Sequence, residues 1–172
     1  EPVPIGGSIT YTIEPDWIRL GPSELATPDT FVAFEGATAY GTDSRIPFHV
    51  TTADWQESDR LMAGILTAFG AQTSAIEIGG HGTFEGVMLN AFRAPRIEGV
   101  IAGEGMRAWG VDWGAVRGKA VIENSYVDVT DAVIGSGGQE IRADGRLSAG
   151  FPRPDGGGEV NARDRTNNSP AR

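Results

Sequence analysis

The chain has no cysteine and only two histidines. Without cysteine there is no disulfide, no thiolate metal site and no thiol nucleophile. A histidine-based triad would have to be built on His49 or His81. His49 has the strand parity opposite to Ile46, Phe48 and Val50, so it reads as a surface residue. His81 lies in a Gly-Gly-His-Gly run with no second ligand at metal spacing. No apolar run approaches the length of a membrane span, and no signal-peptide pattern is present. Basic residues are also scarce, 14 against 23 acids, for a net charge of −9. That balance argues against nucleic acid and against an anionic membrane surface as direct partners. Gly118-Lys119 runs into Ala120 without a phosphate-loop pattern, and Gly103-x-Gly105 does not continue into a dinucleotide fingerprint. The residues therefore assign no catalytic group, no metal ligand and no cofactor. The chain opens on Glu1 and reads as a fragment or a processed piece.

What is present is a repeat. Residues 18–41 align without a gap on 127–150, a shift of 109 positions. Ile18 meets Val127, Leu20 meets Val129, Leu25 meets Ile134 and Val32 meets Ile141. Gly36 falls on Gly145 and Gly41 on Gly150. Each copy reads as short strand, turn, short strand, turn and a long strand closed by glycine. A repeated strand unit builds an extended sheet, which works by surface or groove.

Alternation predicts strands at 7–13, 17–20, 30–40, 45–51, 75–79, 82–89, 96–102, 116–123, 126–129 and 139–149. Breaks are expected at Gly21-Pro22 and at Gly79-Gly80. A further strand-like stretch, 106–113, carries Trp109 and Trp113. Pro47 marks the 45–51 strand as an edge or an irregularity. Leu61, Met62, Ile65, Leu66 and Phe69 follow helical spacing, so a helix is expected over about 54–69. Asp54 is its N-cap, Glu57 completes a capping box and Gly70 stops it. The second copy assigns the faces. Glu140, Arg142, Asp144 and Arg146 must face water, while Ile141, Ala143, Gly145 and Leu147 share the apolar face. The fold class is thus mainly β, with one amphipathic helix inserted between two related units at about 7–52 and 76–151. Residues 152–172 read as a polar tail or the truncated start of another strand.

The remaining chemistry is weak. A glycosidase-like carboxylate pair such as Glu85 and Glu98 carries little meaning among 23 acids. Asp128, Asp131 and Asp144 lack the dense spacing of a calcium loop. Trp109 and Trp113 fill an apolar layer more readily than a stacking site.

From His81 onward the cadence of the chain resembles the periplasmic repeat region of TamB-type translocation and assembly module proteins, in the wider AsmA-like group. Gly82-x-Phe84-x-Gly86 comes first, followed by Pro95-x-Ile97-x-Gly99. A Trp-Gly spacer, the stretch from Gly118 to Asn124 and a closing Ile141-x-Ala143-x-Gly145 complete it. The phrases TPDTFVAFEG and DWQESDRLMAGIL in the first half resemble the same group's inserted helix between sheet segments. The likeness spans roughly 5–155; the tail after Ala162 departs from it.

The resemblance implies a twisted, taco-like groove of antiparallel strands that carries phospholipid acyl chains between inner and outer membrane. It also implies a periplasmic location, an inner-membrane anchor in the parent protein and an outer-membrane assembly partner. The lining residues expected are Ile9, Tyr11, Ile13, Val32, Phe34, Ile97, Ile101, Ile122, Ile141 and Leu147. Two other readings compete: a structural or adhesive β-module with a closed dry core, and a glycan-active enzyme using Trp109 or Trp113.

Overall fold

The structure, a computed structural model, describes residues 4–68, 70, 78–108, 110–123 and 126–148. For Leu66, Leu147 and Ser148 it describes the backbone alone. The chain is mainly β, with one antiparallel sheet and one helix. The strands are β1 (Gly6–Ser8), β2 (Tyr11–Ile13), β3 (Ile18–Ala26), β4 (Thr30–Thr38) and β5 (Ser44–Thr52), then the helix α1 (Trp55–Ala68). After it come β6 (Gly79–Leu89), β7 (Arg96–Ala108), β8 (Val111–Glu123), β9 (Tyr126–Ser136) and β10 (Gln139–Ser148). Strands follow one another in space as they do in sequence, and the sheet stays open. β1 and β2 share one position beside β3.

The repeat has a structural meaning larger than its sequence match. In β3–β4, Ile18 pairs Thr38, Leu20 pairs Gly36 and Leu25 pairs Val32. In β9–β10 the positions 109 residues later pair identically: Val127 with Leu147, Val129 with Gly145, and Ile134 with Ile141. The correspondence continues into a strand the sequence did not match. Gly7–Leu25 and Ile13–Ile18 become Val116–Ile134 and Ile122–Val127. The repeated unit is therefore three strands, β1/β2–β3–β4 and β8–β9–β10.

Even the bulge is repeated. Gly21-Pro22 interrupts the register of β3, and Thr130-Asp131 interrupts that of β9. A bulge leaves an extra residue outside the ladder and increases the local twist. The two copies deal with its backbone amide differently. Pro22 has no N–H to satisfy. Its counterpart Asp131 donates its N–H to Asp144 Oδ1 at 2.7 Å. Ser23, next to the first bulge, accepts from Thr10 N–H at 3.0 Å and donates to Gly21 O at 2.8 Å.

Several sequence expectations change here. Gly21-Pro22 bends one continuous strand and does not break it. Gly79-Gly80 opens β6, with Gly80 at φ +108 beside a register shift against β7, and residues 75–77 of the strand expected before it lie outside the described residues. The 126–129 segment and Ile134 are one strand, β9. The 7–13 strand is split into β1 and β2, and both are fully exposed. Pro47 is in an interior strand, β5; the pairing between β4 and β5 lapses beside it, between Phe34–Phe48 and Ala37–Arg45. Residues 71–77 and 149–172, including the 152–172 tail, lie outside the described residues.

The helix forms where the spacing places it. Gln56 N–H donates to Asp54 Oδ1 at 2.9 Å, an N-cap of the kind worth about 1 kcal/mol. Gly70, at φ +88, donates its N–H to Thr67 O at 3.0 Å. Glu57 does not close a capping box. Its carboxylate instead accepts from Thr27 Oγ1 and, at 3.2 Å, from the Asp29 N–H. It ties the helix to the β3–β4 turn. Beneath it, Thr30 Oγ1 lies 3.0 Å from Thr52 Oγ1 and 2.8 Å from Ser58 Oγ, all buried. These hydroxyls seat the first turn of α1 over the sheet, where it packs against β4 and β6.

Candidate functional site: an apolar cleft

Between α1 and the sheet lies a cleft of about 410 Å³, within the range of small-molecule sites. Its roof is Leu61, Met62 and Ile65, at helical spacing. Its floor alternates along successive strands: Val32 on β4, Val50 on β5, Phe84 on β6, Ile97 and Ile101 on β7, Ile122 on β8, Val127 on β9. Period two puts all these side chains on one face of the sheet. Polar groups are few. Thr30 and Ser58 are committed to each other, and Asp59, Arg107 and Asp144 also reach the lining.

The floor is shaped by glycine. Gly86 and Gly99 pair across β6 and β7. A Cβ on either would come within 2.6 Å of the Phe84 ring. Phe84 therefore lies across both glycines and stacks on Phe48, ring centroids 5.7 Å apart. This is the physical content of the Gly82-x-Phe84-x-Gly86 phrase: an aromatic covers the gap that paired glycines leave. Trp113 also lines the cleft, its Nε1–H donating to Ala108 O at 3.2 Å. Trp55 is 7% exposed, and its Nε1 has no hydrogen-bond partner among the described residues.

The expected lining residues divide into three sets. Val32, Ile97, Ile101 and Ile122 line the cleft. Phe34 sits opposite Phe48, half-buried, outside the cleft lining. Tyr11, Ile13 and Ile141 occupy groove-face register positions beyond the reach of α1, 61%, 64% and 61% exposed. Ile9 falls in the gap between β1 and β2 and is exposed. Leu147 pairs Val127, but its side chain is outside the described set. The contrast between Val32 and Ile141 is informative. They hold the same place in the repeat, and only Val32 has α1 and β5 beside it. Sequence reading missed Trp55, Met106, Val116, Val127 and Ile134. Val127 and Ile134 already stood in the repeat alignment opposite Ile18 and Leu25.

The opposite face is polar. His49 approaches Glu85 at 3.8 Å and His81 approaches Glu104 at 3.7 Å. Arg96 lies between Glu98 and Glu123, and these two hydrogen bonds, Glu98 first, hold its guanidinium above its ordinary pKa. Glu85 and Glu98 both face outward, away from the cleft, because Phe84 and Ile97 beside them face inward. Asp131 pairs with Lys119 at 2.7 Å, which lowers the Asp131 pKa and raises that of Lys119. The stabilisation from this exposed pair is small, is present above the ordinary carboxylate range, and is lost as pH falls through the lowered Asp131 value. Asp128 binds Arg146. The three aspartates considered for calcium thus engage Lys, Arg and a backbone amide. Among the described residues, no cluster of three or more His, Asp or Glu is arranged to hold a metal. No described helix is long and apolar enough to cross a membrane. No family model, curated protein or solved structure matches the chain.

Proposed function

We propose that this chain is a groove segment of a TamB-type, AsmA-like envelope protein, and that its apolar cleft carries phospholipid acyl chains between the inner and outer membranes. The observation that carries the reading is the open cleft itself: aliphatic and aromatic side chains from eight successive strands, β3 to β10, under an amphipathic helix, with almost no polar group free to bind a headgroup. Apolar surface left in contact with water is unfavourable by about 25 cal/mol per Å², so a hydrocarbon occupant stabilises it. The groove-face positions Ile13 and Ile141 extend the same apolar surface past both ends of the cleft. A closed dry module needs that space filled. A glycan enzyme needs carboxylates converging beside a tryptophan, and Glu85 and Glu98 are on the other face.

The test is solvent extraction of the chain purified from bacterial cells, followed by mass spectrometry. Phospholipid is expected to co-purify, and Ile101→Asp, which sets a charge in the cleft floor, should lower it about tenfold or more. Met62→Asp on the roof should act alike, with circular dichroism confirming that each variant folds. Charges at Phe34 or Ile141 should change lipid content little, since neither residue lines the cleft. Lipid content unchanged in both cleft variants would overturn the reading.

A further inference from the structure

β10 is the last described strand of the sheet, and among the described residues nothing pairs with its outer side. In the first copy of the repeat the equivalent edge, that of β4, is occupied by β5. The bulged hairpin is therefore compatible with a strand at this position. The opposite end of the sheet differs. β1 and β2 are three-residue pieces with a gap between them, a shape that discourages pairing. β10 is ten residues long. Its bulge belongs to β9, so β10 itself remains regular.

We propose that β10 pairs with the β10 of a second copy of this chain, antiparallel, about a twofold axis at Ala143. With the clefts of both copies on one side, direction excludes head-to-tail growth by antiparallel pairing. Strands alternate in direction across the sheet, so β10 runs parallel to β1 and β2, and with both clefts on the same side of a continuous sheet β10 against β10 is the arrangement that keeps antiparallel order. Charge then selects the register. Centred on Ala143, Glu140 faces Arg146 of the other copy, Arg142 faces Asp144, and Ile141 faces Gly145. Every outward charge meets its opposite. Centring on Arg142 sets Glu140 against Asp144 and Arg142 against itself. Centring on Asp144 sets Arg142 against Arg146. Like charges directly opposite are destabilising and opposite charges stabilising, so one register is favoured. A twofold axis perpendicular to the sheet keeps both cleft faces on the same side. The pairing rests on the edge alone and does not depend on the lipid reading.

The test uses the full chain. Sedimentation equilibrium in the micromolar range is expected to show a dimer. Arg142→Glu and Asp144→Arg should each weaken it about tenfold or more, because each creates two like-charge contacts. An equimolar mixture of the two variants should restore the dimer, since each altered residue then faces its complement. Because the chain has no native cysteine, Ala143→Cys reports the register independently. Directly opposed residues lie about 4.5–5.5 Å apart at Cα, within disulfide reach, so mild oxidation should give a covalent dimer. Glu140→Cys should not crosslink to itself, its copies being about 20 Å apart, but should crosslink to Arg146→Cys. A monomer throughout the range, an unaffected dimer in Arg142→Glu, or efficient self-crosslinking at position 140 would each overturn the proposal.

Discussion

Gly82→Ala is expected to be the most damaging small substitution in this chain, costing about 3 kcal/mol or more. Two effects add. Gly82 adopts φ +150, where a side chain is strained. A Cβ there would also lie 2.0 Å from Ala102 O and 2.7 Å from Gly103 Cα. Both clashing atoms are backbone of the neighbouring strand, so no side chain can rotate away. Relief requires β6 and β7 to separate in the middle of the sheet. The measurement is the denaturant midpoint with its slope unchanged. Gly105→Ala is the control: it also has positive φ, +58, but nothing lies within 4 Å of its Cβ. It should cost about 1–2 kcal/mol. Equal losses at the two sites would mean that close strand approach is not what requires Gly82.

Phe84→Ala should follow closely, at about 3–4 kcal/mol. Phe84 is 8% exposed and belongs to the core cluster with Val50, Ile97 and Met106. Its truncation removes the stack on Phe48 and uncovers Gly86 and Gly99 together. It has a second, opposite consequence. The vacated volume opens into the cleft, so binding of an apolar dye to the folded variant should hold or rise while stability falls. Phe48→Ala, at a half-buried position directly opposite Gly86, should cost less because less of the ring is buried. A loss under about 1 kcal/mol for Phe84→Ala would show that the ring does not bridge the two strands.

The sheet was legible because its signals are local. Ile46, Phe48 and Val50 alternate, and Leu61, Met62 and Ile65 fall at helical spacing; each pattern states its own period. The repeat was legible for the same reason, and it predicted which residues of β10 share the cleft-side face, although all of those described stay exposed. What the sequence hid is pairing. Glu57 three residues after Asp54 satisfies the capping-box pattern, yet a partner 28 residues away in sequence, the Asp29 amide, takes its carboxylate. Gly21-Pro22 has the composition of a break; whether it breaks or bends a strand depends on neighbours able to hold the bulge, here Thr10 and Ser23. Residues 6–13 and 115–122 look unrelated, and only the shared register reveals that they play the same part. The cleft was half legible. Alternation assigned Ile13 and Ile141 to the correct face, but it says nothing about where along that face a helix will lie. The cover over Val32, and its absence over Ile141, is a tertiary fact.

The sheet is one layer thick, and among its described residues no side chain is less than 2% exposed. Most strands therefore depend on the two beside them, much as links in a chain do. Stability of that kind is held in nearest-neighbour terms and not in a shared centre. Disruption should begin at the ends and travel inward, reaching last the strands that α1 clamps. Such a molecule can shed or gain an outer strand without forfeiting the rest, so opening and closing at its margins and survival of its middle are separable events.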